Sequence, residues 1–241
     1  MVEVGELKMS NKKIIVKKDY DSISSYAVSL FETIITNTNK KTVNIALSGG
    51  NTPKLMFEKL SRSSIIDWNY VNIFMVDERH VDNNHKDSNS RLIKEALIDK
   101  INIPNNNFHK IKYFENTVKS LNDYKKDIRS HFKLESNLQS PKFDLIHLGI
   151  GTDGHTASIF NHKNADNNKL LEINDGDKYK RITFTYKILN NADNIIFLVT
   201  GKSKVNIMEK VNSGKYKLPA NRINNNGNIY YLLDTDAANK L

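Results

Sequence analysis

Short apolar runs alternate along the chain with longer segments in which apolar residues recur every three or four positions. The short runs are rich in β-branched residues and are bounded by glycine, asparagine or aspartate, a pattern that predicts buried strands. The seven predicted strands cover residues 14–16, 43–47, 71–76, 143–148, 181–185, 195–199 and 229–233.

Segments with helical spacing lie between most of these strands. In the segment after Pro53, a residue that suits the first turn of a helix, Leu55, Met56 and Leu60 recur at such intervals. Strands that alternate with helices predict an α/β fold, a mostly parallel sheet with helices on both faces. The other predicted helices run through 29–35 and over 90–100, 119–134 and 203–211.

The domain organisation predicted from this pattern is simple. No linker, internal repeat or change of composition divides the chain, so residues 12–241 are expected to form one domain after an N-terminal extension, 1–11. The 241 residues, 39% of them hydrophobic and 26% charged, suffice for a sizeable core. No apolar run approaches the roughly 20 residues that span a bilayer, and the first residues lack a secretory pattern. A cytoplasmic protein without membrane contact is expected.

The absence of cysteine excludes disulfides, thiolate metal sites and a cysteine nucleophile. His80 and His85 lie close together without regular ligand spacing, so a metal site is not expected. The net charge of +9 permits two interpretations, nucleic-acid binding or a basic surface that attracts a small anionic substrate. The basic residues are scattered singly or in pairs without a nucleic-acid motif, which favours the second interpretation.

Three loops follow predicted strands directly, and the carboxyl ends of parallel strands meet at one edge of a sheet. The first loop, 48–53, reads Ser-Gly-Gly-Asn-Thr-Pro. Its glycines let the backbone approach a ligand, and the following helix start offers N–H groups to an anion. It matches neither the Walker motif nor the dinucleotide motif, and a plain tight turn is the alternative. The candidate ligand-binding residues here are Ser48, Gly49, Gly50 and Thr52.

The second loop, 77–80, places Asp77, Glu78 and Arg79 after an apolar strand, so these charges are expected to emerge at a rim or to pair. A salt-bridged strand end is the alternative, and Ser88 is expected to cap the next helix. Arg181, which opens a strand, and Lys204, just after a strand, suit phosphate oxygens if they reach the same edge.

The third loop, 149–158, reads Gly-Ile-Gly-Thr-Asp-Gly-His-Thr-Ala-Ser. It presents His155 with Asp153 two residues away, and histidine is the side chain best suited to act as a general base near neutral pH. The alternative is a capping loop with a surface histidine. His147 lies inside a predicted strand and is expected to be a packed core residue.

These segments resemble the 6-phosphogluconolactonases, in the order of that family and over nearly the whole chain from about residue 12. The resemblance implies the modified Rossmann-like fold shared with glucosamine-6-phosphate deaminases and ribose-5-phosphate isomerases. It also implies hydrolysis of 6-phospho-D-glucono-1,5-lactone, the second step of the pentose phosphate pathway, without a cofactor. The matching segments are 48–53, 77–79, 87–89, 148–160, 181–183, 201–204, 219–220 and 234–238.

The chain departs from this family's pattern at few positions. Asp82 replaces a frequent proline, the usual aromatic residue before the last motif is displaced to Tyr230 and Tyr231, and asparagine-rich insertions lengthen several loops. Two other functions remain as alternatives. The first is a glucosamine-6-phosphate deaminase or isomerase, but the related deaminases carry a glutamate where this chain has Phe160. The second is a non-catalytic sugar-phosphate sensor, which needs an output module that is not evident. Because some members are fused to glucose-6-phosphate dehydrogenase, a fused or associated dehydrogenase is a further expectation.

The hypothesised mechanism makes His155 the base that takes a proton from the attacking water. Asp153 or Asp77 would orient the imidazole, and the N–H groups near Gly49, Gly50 or Gly151 would stabilise the oxyanion. The residues expected to grip the substrate phosphate are Arg79, Arg181 and Lys204.

Overall fold

Strands and helices alternate along the chain in the computed structural model, which describes residues 7–9, 11–160 and 168–241. The strands are β1 (Leu7–Met9), β2 (Lys12–Lys17), β3 (Val43–Leu47), β4 (Val71–Met75), β5 (Asp77–Arg79), β6 (Phe108–His109), β7 (Leu145–Leu148), β8 (Leu171–Asp175), β9 (Lys180–Phe184), β10 (Asn194–Val199) and β11 (Asn228–Asp234).

Except for the short helix Tyr186–Leu189, which the apolar periodicity does not predict, the α-helices begin close to the predicted positions. Ser88 caps one of them by accepting a hydrogen bond from the Arg91 N–H, which confirms its predicted role. The α-helices are α1 (Tyr20–Thr36), α2 (Lys54–Leu60), α3 (Asn89–Ala96), α4 (Thr117–His131), α5 (Tyr186–Leu189) and α6 (Val205–Ser213).

Three predicted helices differ from the observed ones at their ends. The helix predicted over 119–134 is observed over Thr117–His131. The helix predicted over 90–100 ends at Ala96, because the backbone tightens into a 3₁₀ turn over Ile98–Lys100. The helix predicted from 203 begins instead with a 3₁₀ turn, Lys202–Lys204, before α6. Such short 3₁₀ turns carry the same side-chain periodicity for a few residues, so the apolar pattern does not distinguish them from α-helix.

The main sheet has the strand order β1-β2-β11-β10-β7-β3-β4-β6. Its neighbouring strands are parallel except for the β1–β2 pair. The central strands are buried apolar runs, as expected where helices cover both faces of a parallel sheet. The predicted α/β class is therefore confirmed.

A second sheet with the order β5-β9-β8 is antiparallel. The strand predicted over 181–185 belongs to this sheet and not to the parallel one. Val76 is the point of transfer, because its N–H donates to Leu47 of β3 while its carbonyl accepts from Phe184. The chain thus leaves the main sheet at Val76 and carries Asp77 and Arg79 directly into the small sheet. Apolar alternation alone does not reveal this change of partner.

His147 is a core residue, as predicted. Its ring packs against Phe31 and Phe57, with centroids 6.3 and 5.8 Å away. Neither ring nitrogen has a hydrogen-bond partner among the described residues. Complete burial lowers the pKa of His147 to about 3, so the imidazole is neutral in the folded protein. In the described part of the chain, no helix is both long and apolar enough to cross a membrane.

Candidate active site

A cleft of about 250 Å³ opens at the carboxyl edge of the main sheet, where the small sheet meets it. The loops after β3, β7 and β10 reach this edge, because parallel strands present their carboxyl ends on one side. Asp153 is the only predicted site residue that does not line the cleft. The predicted residues that line it are Ser48, Gly49, Gly50, Thr52, Asp77, Arg79, Gly151, His155, Arg181 and Lys204.

His155 and Asp153 form a close polar pair at this cleft. The imidazole Nδ1 lies 2.6 Å from Asp153 Oδ1, which also accepts the His155 backbone N–H at 3.2 Å. Partial burial raises the pKa of Asp153, but the hydrogen bond from the His155 N–H and the nearby imidazole outweigh it, so the pKa lies below its ordinary value. An ionised Asp153 can only accept a hydrogen bond, so it favours the tautomer in which Nδ1 of His155 carries the proton and Nε2 carries the lone pair.

The backbone around Gly151 is shaped by this imidazole. A Cβ on Gly151 would lie 2.2 Å from His155 Nδ1, so only glycine fits. The Gly151 N–H donates to the His155 carbonyl at 2.8 Å, which closes the loop. This bond corrects one part of the hypothesised mechanism, because an N–H that is already used does not stabilise an oxyanion.

The loop after β3 keeps its backbone donors available. Gly50 has a φ of +104°, which favours glycine, and no described hydrogen bond uses the N–H of Gly49 or Gly50. The Asn89 amide lies where a Cβ of Gly49 would be, with Oδ1 2.3 Å from that position. Asn89 also lines the cleft, although it was not among the predicted site residues. Its only signal in the sequence is the triplet Asp-Ser-Asn before α3.

Asp77 is buried at the cleft, and its described hydrogen bonds go to residues other than His155. Its Oδ2 accepts from the Ser158 hydroxyl at 2.7 Å, and its carbonyl accepts from Asn89 Nδ2 at 3.1 Å. No described hydrogen bond joins Asp77 to His155. Of the two carboxylates considered for that role, Asp153 is therefore the one in contact.

Glu78 points inward and holds the start of α3, instead of emerging at a rim with its neighbours. One carboxylate oxygen accepts the Asn89 N–H and the other accepts the Ser90 N–H, each at 2.7 Å. Burial raises the pKa of Glu78, and these hydrogen bonds oppose the shift. By securing the start of α3, Glu78 also fixes the position of Asn89 at the cleft.

Three cations surround the cleft. Arg79 and Arg181 are opposite residues on β5 and β9. Burial lowers the pKa of Arg181, and the positive charge of Arg79 lowers it further. Lys204 donates from Nζ to the Ile150 carbonyl at 2.7 Å, and burial lowers its pKa as well. None of the three forms an ion pair within the described residues, so an anion in the cleft would find all of them available.

Phe160 packs near both the imidazole and one of these cations. Its ring centroid lies 4.8 Å from that of His155 and 5.8 Å from the Arg181 guanidinium carbon. An aromatic ring tolerates both neighbours, but it has no proton to exchange with a ligand. Across the described ranges, no group of three or more histidine or carboxylate side chains could hold a metal ion.

The family model for glucosamine-6-phosphate isomerases/6-phosphogluconolactonase matches residues 18–231. The chain belongs to this family. Among its relatives, a 6-phosphogluconolactonase from Synechocystis is 36% identical over 203 residues, which cover 82% of this chain and 84% of the relative. The resemblance stated from the motifs is thereby confirmed.

Solved structures related to this family share the fold. A crystal structure of 6-phosphogluconolactonase from Thermotoga maritima superposes with a TM-score of 0.84 at 29% identity, covering 92% of this chain and 99% of that one. A monomeric glucosamine-6-phosphate deaminase superposes with a TM-score of 0.80 at 17% identity, covering 95% and 99%. At that identity the deaminase shows the fold alone, so the residues of the cleft have to decide between the two activities.

Proposed function

We propose that this chain hydrolyses 6-phospho-D-glucono-1,5-lactone to 6-phosphogluconate, the second step of the oxidative pentose phosphate pathway. The observation that carries the proposal is the pairing of His155 with Asp153 at a cleft that also holds three cations without an ion pair among the described residues. A base beside a cationic pocket suits a neutral lactone ring that carries a phosphate. The sequence similarity to a 6-phosphogluconolactonase supports the same assignment.

In the proposed reaction, Nε2 of His155 removes a proton from water while the water oxygen bonds to the lactone carbonyl carbon. The tetrahedral intermediate then collapses, and the bond from that carbon to the ring oxygen breaks. The imidazolium returns its proton to the ring oxygen, which becomes a hydroxyl, and the carbonyl carbon is left as a carboxylic acid. Asp153 stabilises the imidazolium between these steps, as a carboxylate does in hydrolytic triads.

The oxyanion of the intermediate needs donors that are fixed before the reaction. The N–H groups of Gly49 and Gly50 meet this requirement, because both line the cleft and neither is used within the described residues. One such donor contributes about 10²- to 10³-fold to turnover in other hydrolases.

The substrate phosphate is assigned to Arg79, Arg181 and Lys204. The arginines supply planar N–H groups that match phosphate oxygens, and Lys204 adds a point charge. Their burial raises the cost of leaving them unpaired, which favours a ligand that carries negative charge.

The decisive experiment compares the unaltered chain with His155→Ala. Lactone consumption is followed above its spontaneous hydrolysis, and binding of 6-phosphogluconate is measured by calorimetry. Turnover should fall about 10²- to 10⁴-fold while product binding persists. Turnover within a few fold of the unaltered chain would exclude His155 as the base.

Deaminase activity is the nearest alternative and is disfavoured by Phe160, which packs on the His155 ring and has no carboxylate. Release of ammonia from glucosamine 6-phosphate would reverse this conclusion. Binding of sugar phosphates without turnover would instead indicate a sensor. A fused or associated glucose-6-phosphate dehydrogenase stays a prediction, which co-purification of dehydrogenase activity with this chain would test.

A further inference from the structure

Asp87, in the loop between β5 and α3, contacts Arg79 of β5 and the turn that precedes β9. Its carbonyl accepts a hydrogen bond from Arg79 Nη1 at 2.6 Å. Its carboxylate accepts one from the Tyr179 hydroxyl at 2.9 Å. Tyr179 lies in the turn between β8 and β9, two residues before Arg181. A single residue therefore joins the guanidinium of Arg79 to the turn that precedes Arg181.

That turn also supports the second guanidinium directly. Gly176 donates its N–H to the Tyr179 carbonyl at 3.1 Å, which closes the turn. A Cβ on Gly176 would lie 2.9 Å from Arg181 Nε, so the Arg181 side chain rests on this glycine. Movement of the turn would consequently move Arg181.

The two arginines need such a restraint when the cleft holds no anion. They are opposite residues on neighbouring strands, and like charges at such positions repel one another. Both Nε atoms are buried without a hydrogen-bond partner among the described residues. Asp77, Glu78 and Asp177 are the carboxylates whose charges act on Arg181. Asp77 is engaged with Ser158 and Glu78 with the start of α3, whereas Asp177 lies in the turn before β9 and forms no ion pair with Arg181 within the described residues.

We propose that Asp87 and Tyr179 are positioning residues that form a clasp, the Asp87–Tyr179 hydrogen bond, which holds Arg79 and Arg181 at the spacing that one phosphate group requires. The identity of the anion rests on the proposed function. Lys178 also reaches Asp87 Oδ2, at 3.4 Å, but an exposed ion pair of this kind contributes little. The Tyr179 hydroxyl is therefore the specific link.

Tyr179→Phe removes this link and leaves the ring in place. The ring keeps its contact with His85, at a centroid distance of 5.8 Å, and with the Lys178 ammonium at 4.9 Å. Tyr216→Phe is a matched control, because Tyr216 also carries a lysine over its ring, Lys210 at 5.5 Å. No hydrogen bond from the Tyr216 hydroxyl is found within the described residues.

The first measurement is the affinity for inorganic phosphate, followed by phosphorus NMR titration of the whole chain. Tyr179→Phe should weaken phosphate binding about three- to tenfold, the effect of one lost hydrogen bond, and Tyr216→Phe should leave it unchanged. Asp87→Ala should act like Tyr179→Phe, and Asp87→Asn, which keeps an acceptor, should be milder. In lactone assays KM should rise while kcat stays within about twofold, because the base is untouched.

The second measurement asks whether the clasp acts through the arginines. In an Arg79→Lys/Arg181→Lys background, adding Tyr179→Phe should change phosphate affinity less than about twofold, because coupled residues are not additive. The proposal would be overturned if Tyr179→Phe had its full effect in the double-lysine background, or if Tyr216→Phe weakened phosphate binding as much as Tyr179→Phe does. It would also be overturned if the unaltered chain did not bind phosphate. If the chain did not hydrolyse the lactone but the phosphate-binding results were as expected, only the proposed function would be contradicted.

Discussion

The Cα of Gly151 lies against the imidazole of His155, so closely that a Cβ there would come within 2.2 Å of Nδ1 and 2.6 Å of Asp153 Oδ1. The missing side chain of one residue thus makes room for the base and for the carboxylate that holds it. Two residues earlier, Gly149 has no heavy atom within 4 Å of the corresponding position.

Gly151→Ala should therefore displace the imidazole, whereas Gly149→Ala should not. We expect kcat to fall about 10²-fold in the first variant, because a base that is displaced by about an ångström loses its alignment with the water. Product binding should change much less. Steady-state kinetics with the two variants side by side is the test, and equal kcat values would contradict the role given to Gly151.

Asp153→Asn should lower kcat about ten- to a hundredfold, because the amide no longer stabilises an imidazolium and offers the wrong partner to Nδ1. The Asp153 side chain is 57% exposed, so solvent screens part of its charge and keeps the effect below that of His155→Ala. Asp236→Asn, at an exposed carboxylate after β11, serves as the control. Unchanged kcat in Asp153→Asn would show that another group orients the imidazole.

Lys204→Met should raise KM about tenfold with little change in kcat, because a cation that grips the phosphate binds substrate and transition state alike. The matched variant is Lys202→Met, which lies in the same 3₁₀ turn and does not line the cleft. Competitive inhibition by inorganic phosphate should weaken in parallel in Lys204→Met alone. A fall in kcat at constant KM would instead place Lys204 at the reacting carbonyl.

His147 should make the fold sensitive to acid. Its pKa is about 3 in the folded protein and near its ordinary value of 6.5 in the unfolded chain, which binds the extra proton. The stability conferred by this neutral imidazole is therefore present above pH 6.5 and is lost as pH falls toward 3. Between pH 7 and pH 4 the loss amounts to about 3 kcal/mol.

His147→Leu tests this linkage, because leucine fills much of the same apolar space without titrating. Urea unfolding should show a smaller loss of unfolding free energy from pH 7 to pH 4 in the variant than in the unaltered chain. Identical losses in both proteins would assign the acid sensitivity to other groups.

The apolar pattern was sufficient to locate the central strands and the helices between them. Val43–Leu47 and Leu145–Leu148 are almost fully buried, and only Asn44 and His147 interrupt their apolar residues, so the pattern is clear. The positions of His155 and Gly50 at the cleft are also predictable from the sequence, because a strand that ends in glycines marks a loop at the ligand-binding edge. These features depend on local sequence and on the general geometry of parallel sheets.

The tertiary structure alone decided which groups meet. β9 joins the antiparallel sheet, Glu78 turns inward, Asn89 fills the space above Gly49, and Asp153 rather than Asp77 contacts His155. The pairing of β9, the contacts of Glu78 and the position of Asn89 depend on strand pairing or on contacts between residues far apart in the chain, which leave no periodic trace in the sequence. The Asp153–His155 contact and the backbone bond that occupies the Gly151 N–H are local, but they follow from how the loop closes and not from residue type.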